Sequence, residues 1–216
     1  MMYCHKDPET KAPVYIVKNG LDPKGMEAIV EGLKDKTIVA THQQGDKLTD
    51  DTTGPRDSTV HFFEDPQLRA AINNYIKIAN YQAGWRYEIT GSEAFQFTKY
   101  EGDKKQHYNW HFDGEGDVWA ARNFTSMPPR NLREITSPDL VGTVRKLSVS
   151  VVLNDDYEGG EFETQHIESG KIEKHTIKPI KGDVIIFPAF LSHRVKPVTK
   201  GIRYSVVAWY AGPPFK

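Results

Sequence analysis

Residues 183–210 read DVIIFPAFLSHRVKPVTKGIRYSVVAWY. Three short runs rich in β-branched and aromatic residues lie in this stretch, and they predict strands at 183–187, 192–198 and 202–210. Proline, lysine and glycine residues separate the runs, as is typical of turns. Short strands at this spacing indicate an antiparallel sandwich or barrel.

The same period of two continues upstream of this stretch. It predicts further strands, separated by turn signals such as Gly159-Gly160, at 107–113, 145–153, 160–167 and 171–178. Residues 87–90 and 94–100 are expected to form a hairpin around Gly91-Ser92. The runs therefore predict a β-rich body of about eight strands.

Two helices precede this body. Asp22-Pro23 and Asp65-Pro66 each place a capping residue before a proline at the first helical position. Apolar residues follow both pairs at helical spacing, over 26–33 and over 68–79. We therefore expect an α+β, β-rich fold in a single domain, 1–216. Its first part, 1–85, is expected to be a mainly helical support region, and 86–216 the β-rich core.

Composition excludes several classes of protein. The 216 residues are 38% hydrophobic and 26% charged with a net charge of −1, which excludes a disordered chain and argues against nucleic acid or an anionic membrane as partner. No apolar run approaches the length of a membrane span. The first residues lack the apolar core of a signal peptide, and the only cysteine, Cys4, cannot form an intrachain disulfide. These features predict a cytoplasmic protein.

The stretch 120–140 has no strand pattern and is long for a loop. We hypothesise that it is a lid that becomes ordered over a substrate. Its arginines, Arg122, Arg130 and Arg133, suit either an acidic or peptide substrate or simply a solvated loop.

The residues that can carry chemistry are His111-Phe112-Asp113 and the distant His193. Positions i and i+2 of a strand point to one face, so His111 and Asp113 can bind one metal together. A second histidine from a neighbouring strand completes two nitrogens and one carboxylate, the facial triad of non-haem Fe(II) sites. That ligand set accepts manganese as well as iron.

Other histidine patterns compete with this one. His5-Lys6-Asp7 lies in a polar terminus without a strand, and His166-Ile167-Glu168 lies next to a turn, so we favour His111. His107 is interpreted as a structural residue. Tyr108 and Trp110 alternate with the face of His111 and are predicted to be packing or rim residues.

From about Phe95 to Tyr210 the sequence resembles the Fe(II)- and 2-oxoglutarate-dependent dioxygenases, in their prolyl 4-hydroxylase-like branch. The motifs that carry the resemblance are Tyr100, His111-Phe112-Asp113, the run 145–154, Tyr157-Glu158-Gly159-Gly160, the run 182–188, His193-Arg194-Val195 and Gly201-Ile202-Arg203-Tyr204-Ser205. The resemblance implies a double-stranded β-helix (a jelly-roll, cupin-like fold) with the N-terminal helices packed on one face.

The resemblance also implies a role for each site residue. His111, Asp113 and His193 would hold Fe(II). Arg203 would pair with the far carboxylate of 2-oxoglutarate, a task that suits a guanidinium, with Tyr100 and Ser205 as further cosubstrate contacts. The cofactors implied are Fe(II), 2-oxoglutarate and O2, with ascorbate as an optional reductant. A carboxylate at Asp113 favours hydroxylation over halogenation.

The substrate is the open question. The branch resemblance favours a prolyl residue in a peptide or protein, with a free amino acid or other small molecule as the alternative. A nucleobase is disfavoured, because the nucleic-acid repair branch carries a second arginine where this chain has Trp209. In a different class, the chain could be a non-enzymatic jelly-roll binding module. The oligomeric state stays open.

Overall fold

The computed structural model describes residues 2–4, 13–40, 42–44, 47–49, 54–114, 140, 142–168 and 170–215. The hypothesised lid at 120–140 lies outside the described residues except for Leu140, and so do its three arginines and the His5-Lys6-Asp7 pattern. Within the described ranges, no helix combines the length and the apolar character that a membrane crossing requires.

Two α-helices begin where the sequence predicts. Helix α1 spans Pro23–Leu33, and the side chain of its N-cap, Asp22, accepts a hydrogen bond from the backbone N–H of Gly25. Helix α2 spans Pro66–Gln82, and Asp65 caps it by accepting from two backbone N–H groups of the first turn. In both helices the proline after the cap has no N–H to leave unpaired.

Most of the chain is β-structure, as predicted. The strands in chain order are β1 (Met2–Cys4), β2 (Tyr15–Val17), β3 (Ile38–Val39), β4 (His42–Gln44), β5 (Lys47–Thr49), β6 (Arg56–Asp57), β7 (Thr59–Phe63), β8 (Gly91–Ser92), β9 (Phe95–Glu101), β10 (His107–His111), β11 (Val144–Val152), β12 (Glu158–Gly159), β13 (Phe162–Glu168), β14 (Lys171–Ile177), β15 (Val184–Pro188), β16 (Ser192–Val195), β17 (Val198–Lys200) and β18 (Ile202–Gly212).

Two antiparallel sheets form the walls of the molecule. The large sheet has the order β1-β2-β15-β11-β18-β9-β7-β3, with β8 paired to β18, and the small sheet has the order β14-β13-β16-β10-β6. The strands β12 and β17 pair separately, as do β4 and β5. This arrangement is the double-stranded β-helix that the resemblance implied.

Alternate residues of β15 belong to two different buried clusters, one on each face of the large sheet. Val184 and Ile186 belong to one buried cluster with Ile72 and Ile76 of α2, so this face of the large sheet packs on the helices. Ile185 and Phe187 belong to a second cluster that includes Val195 of the small sheet. The second cluster therefore fills the space between the two sheets, where the candidate site also lies.

The hairpin predicted at 87–100 is wrong, although its second strand, 94–100, is confirmed as β9. Residues 87–90 form no strand, and Gly91 and Ser92 pair with Ala211 and Tyr210 of β18 instead of forming the turn. Strand β9 also pairs with β18, on one side, and with β7 on the other. Local alternation could not reveal that the long strand β18 would supply the partner for both segments.

The region 1–85 is less helical than expected. It contains both helices, but it also supplies β2, β3 and β7 to the large sheet and β6 to the small one. These strands have two to five residues. Runs this short carry too little periodicity to be recognised in the sequence.

Candidate metal centre

His111 and His193 come together because their strands are neighbours. Strand β10 ends at His111, β16 contains His193, and the two residues are paired across the antiparallel ladder. Asp113 follows two positions after His111, and its backbone N–H donates a 3.0 Å hydrogen bond to the carbonyl oxygen of Ala189. The small sheet thus presents both imidazoles to its inner face with the carboxylate beside them.

The three side chains form a compact donor set. One ligand atom from each of His111, Asp113 and His193 lies within 4.8 Å of the others. Nε2 of His111 is 3.7 Å from Oδ1 of Asp113, and Nε2 of His193 is 3.6 Å from Oδ2. Two nitrogens and one carboxylate in this arrangement suit a divalent transition metal such as Fe(II).

Backbone contacts hold both imidazoles in the orientation that a metal requires. Nδ1 of His111 lies 2.7 Å from the carbonyl oxygen of Asn109, and Nδ1 of His193 lies 2.8 Å from that of Leu191. A carbonyl can only accept, so each Nδ1 carries the proton and each Nε2 offers its lone pair to the cluster. Burial lowers the pKa of His111 to about 3, helped by the neighbouring His193, which keeps that ring neutral.

Asp113 is suited to remain a carboxylate. Burial works to raise its pKa, but the nearby His193, His111 and Arg145 outweigh burial and lower it. Its Oδ2 is buried and has no hydrogen-bond partner among the described residues. Buried polar atoms are nearly always paired, so an unpaired carboxylate oxygen that faces two imidazole nitrogens fits a metal ion.

Arg203 lies inside the barrel on β18, with 1% of its surface exposed. Its Nη1 donates a 3.0 Å hydrogen bond to Oγ of Ser205. Its Nε and Nη2 are buried and have no partner in the part of the chain that the structure describes. Tyr100 is paired with Arg203 across the ladder, and its ring centroid lies 5.6 Å from the guanidinium carbon. Burial raises the pKa of Tyr100, so its hydroxyl stays protonated. The three residues therefore form a donor-rich pocket for an anion.

The structure brings together every residue predicted for the site, and the competing histidines His107 and His166 lie outside the donor set. His107 makes a 3.2 Å contact to the carbonyl oxygen of Lys105 and is not part of the donor set. His166 stacks on His175 with the ring centroids 5.1 Å apart. Among the described residues, His111, Asp113 and His193 are the group that can hold a metal.

The packing role predicted for Tyr108 is confirmed, since its side chain packs against the second buried cluster, but the predicted face is wrong. A register shift between Tyr108 and His111 lets both face the interior, although three positions separate them. The Tyr108 ring stacks on the His111 ring with a centroid separation of 3.4 Å. Strict alternation along a strand would place Tyr108 and His111 on opposite faces. A β-bulge breaks this alternation, and its position cannot be predicted from the period of two.

Two arginines near the candidate site could not be identified from the sequence. Arg145 stacks on Trp209, with its guanidinium carbon 4.1 Å from the ring centroid, and forms an ion pair with Glu93. Arg56 lies on the edge strand β6 with its guanidinium carbon 4.7 Å from the Tyr108 ring centroid. Neither has a sequence spacing to the metal ligands that would have predicted its place.

Comparison with known proteins agrees with this geometry. The sequence model of the 2OG-Fe(II) oxygenase superfamily matches residues 95–211. A PKHD-type hydroxylase of Janthinobacterium sp. (strain Marseille) is 33% identical over 115 residues, which are 52% of this chain and 41% of that protein. The match thus spans about two fifths of the length of that curated relative.

Two solved structures share the fold at low sequence identity. The viral collagen prolyl hydroxylase of Paramecium Bursaria Chlorella virus-1, in its 2OG complex, has a TM-score of 0.60 and 16% identity, and the alignment covers 93% of this chain and 96% of that one. A prolyl hydroxylase of Trichoplax adhaerens in complex with a hypoxia inducible factor peptide fragment has a TM-score of 0.57 and 19% identity, with 92% of this chain and 83% of that one covered.

Proposed function

Since this chain belongs to the 2OG-Fe(II) oxygenase superfamily, we propose that it is an Fe(II)- and 2-oxoglutarate-dependent hydroxylase of a prolyl residue in a peptide or protein. The observation that carries the proposal is the donor set of His111, Asp113 and His193 beside a buried arginine with unpaired nitrogens. A metal held only for structure needs no such anion-binding group next to it.

His111, Asp113 and His193 hold the metal in this proposal. Both imidazoles offer Nε2, because the carbonyl groups of Asn109 and Leu191 fix the opposite nitrogen as the donor. A metal bound by these three side chains would keep further coordination positions for other groups. When bound, Fe(II) supplies the oxidising chemistry that takes 2-oxoglutarate and O2 to succinate and CO2 while a C–H bond of the substrate becomes C–OH.

Arg203 anchors the far carboxylate of 2-oxoglutarate. Its two unpaired nitrogens can donate in parallel to both oxygens of one carboxylate, which a lysine could not do. Ser205 orients the guanidinium through Nη1, and Tyr100 offers a protonated hydroxyl from the neighbouring strand. Gly160 leaves room for this arginine, since a Cβ there would lie 2.9 Å from its Cδ.

The names of the relatives support the prolyl substrate. One solved structure with this fold is called a collagen prolyl hydroxylase, and another is bound to a peptide fragment. The curated relative with the 33% match is called a PKHD-type hydroxylase. A free amino acid or other small molecule is the alternative within the same chemistry, and a jelly-roll binding module is the alternative outside it.

An anaerobic titration with Fe(II) and 2-oxoglutarate tests the proposal. The visible charge-transfer band of the complex is expected in the wild type, absent in His111→Ala and weakened in Arg203→Ala. His107→Ala removes an imidazole outside the donor set and is expected to keep the band. Succinate release with prolyl peptides then tests the substrate. Folded wild-type protein without a band at any cosubstrate concentration would overturn the dioxygenase assignment and favour the binding module.

A further inference from the structure

A second buried arginine, Arg56, lies inside the barrel near the metal ligands. It is 9% exposed and is paired with Tyr108 across the ladder between β6 and β10. Its guanidinium carbon is 4.7 Å from the Tyr108 ring centroid, and the Tyr108 ring stacks at 3.4 Å on His111. A cation contributed by the N-terminal part of the chain thus reaches the immediate surroundings of the candidate metal.

Arg56 has little to neutralise it. Its Nε donates a 2.9 Å hydrogen bond to Oγ of Ser58, but within the described residues its guanidinium has no carboxylate partner. Two of the other buried charges are paired, Asp183 with Lys18 at 2.6 Å and Glu163 with Arg194 at 2.6 Å. A buried charge without a counterion is costly, so a guanidinium that lacks a carboxylate partner at this depth is suited to bind an anion.

The balance of charge in the site leads to the same conclusion. Arg145 is neutralised by Glu93, so Arg56, Arg203 and Asp113 set the local charge, and the two guanidiniums exceed the single carboxylate by one. A divalent metal and a dianionic 2-oxo acid cancel each other. One positive charge therefore remains in the loaded site, in a region of low dielectric where it acts strongly.

Arg56 and Arg203 both act on the buried hydroxyl of Tyr100. Burial raises the pKa of Tyr100, while the positive charges of Arg56 and Arg203 both oppose that rise. The pKa of Tyr108 follows the same pattern, with burial raising it and Arg56 opposing. Both guanidiniums are therefore close enough to Tyr100 to act on its hydroxyl.

We propose that Arg56 binds a carboxylate in this pocket, as a second anion-binding residue next to Arg203. The carboxylate has two chemical sources: the far end of 2-oxoglutarate, shared with Arg203, or a carboxylate of the substrate bound at the same time. This inference rests on the proposed function and adds to it a requirement for an anionic group on one of the two ligands.

The test compares Arg56→Gln, Arg56→Lys and the wild type in anaerobic titrations of the Fe(II)-loaded protein. One arm uses 2-oxoglutarate and 2-oxopentanoate, which share the ketone and the near carboxylate but differ in the far carboxylate. The other arm adds acetyl-prolyl-glycine or its C-terminal amide to the protein loaded with Fe(II) and 2-oxoglutarate. The position and strength of the charge-transfer band report binding in both arms.

If the cosubstrate is the source, Arg56→Gln raises the Kd of 2-oxoglutarate roughly tenfold and leaves that of 2-oxopentanoate unchanged. If the substrate is the source, both Kd values stay constant, and the variant loses the preference of the wild type for the peptide acid over the amide. Arg56→Lys is expected to show the same change at smaller size, because it keeps the charge but not the planar fork.

Arg86→Gln is the matched control. It removes the same charge from an exposed position, where the guanidinium carbon lies 3.7 Å from the Tyr81 ring centroid, and it should leave both arms unchanged. If Arg56→Gln and Arg56→Lys alter neither the Kd of 2-oxoglutarate nor the preference for the peptide acid, Arg56 binds no carboxylate and the inference is overturned. A wild type without any band would instead refute the proposed function.

Discussion

Nη1 of Arg145 donates a 2.7 Å hydrogen bond to the backbone carbonyl oxygen of Asp113. The same guanidinium donates through Nε and Nη2 to the two carboxylate oxygens of Glu93, each at 2.5 Å. It also stacks on Trp209. The large sheet thus fixes the backbone of the carboxylate ligand, while the small sheet carries both imidazoles.

Arg145→Gln is therefore expected to weaken metal binding without unfolding the protein. Contacts that orient a metal ligand typically contribute a factor of roughly 10–100 in affinity. The measurement is the Kd of Fe(II) under anaerobic conditions, with the melting temperature recorded beside it. Arg69→Gln is the matched control, because Arg69 also pairs with a carboxylate, Glu64, and stacks on an aromatic ring, Phe95. Equal metal affinity in both variants would contradict a positioning role for Arg145.

Gly160→Ala separates cosubstrate binding from metal binding. Gly160 has a φ of +64°, and a Cβ there would approach Cδ of Arg203 to 2.9 Å. The methyl group should displace the guanidinium and raise the Kd of 2-oxoglutarate about tenfold while the Kd of the metal stays constant.

Gly170→Ala is the control for Gly160→Ala. Gly170 has a similar φ of +77°, but no described residue lies within 4 Å of an added Cβ. The backbone strain is therefore comparable and the steric contact is missing. A loss of 2-oxoglutarate affinity of the same size in both variants would show that strain, rather than displacement of Arg203, is responsible.

The neutral state of His111 makes the metal-free protein sensitive to acid. Burial lowers its folded-state pKa to about 3, below the value near 6.5 of an unfolded chain. Between these values the unfolded state binds more protons, so stability present above pH 6.5 is lost as the pH falls. This single group should contribute about 1.4 kcal/mol per pH unit. Urea unfolding at pH 7, 6 and 5 should show a shallower pH dependence for His111→Asn, and parallel curves would refute this.

Packing of α2 on the large sheet should matter for stability and not for chemistry. Ile72 is fully buried between the helix and the sheet, whereas Ile38 is 63% exposed. Ile72→Ala should lower the free energy of unfolding by about 2–5 kcal/mol, and Ile38→Ala by less than about 0.5 kcal/mol. Urea denaturation measures both values. Metal affinity well below the unfolding midpoint should be the same in the two variants, and a selective loss in Ile72→Ala would contradict the separation of core from site.

Much of the fold could be predicted from local patterns. The Asp-Pro pairs predicted both helix starts, and the period of two predicted β10, β11, β13, β14, β15, β16 and β18, with ends that differ by a few residues. The segment around Gly91 was mispredicted as a hairpin, because its partner is the distant β18. The short strands of the first 85 residues left no periodic signal that could have been detected.

The residues of the candidate site could also be predicted only in part from the sequence. His111 and Asp113 could be paired from their spacing, because alternate residues of a strand share a face. Spacing did not identify His193 and Arg203, and these two residues were predicted from the order of the family motifs along the chain. Tyr108 was assigned to the wrong face, since its direction depends on the register shift within β10.

Sequence alone determined the properties that depend on near neighbours: the helix caps, the alternating strands and the pairing of His111 with Asp113 two positions later. The tertiary structure alone determined which distant groups surround the candidate metal ligands. Arg56 enters the site only because β6 pairs with β10, and Arg145 holds Asp113 only because the large sheet faces the small one. Such contacts arise from strand pairing and sheet packing between segments far apart in the chain, and no local spacing encodes them.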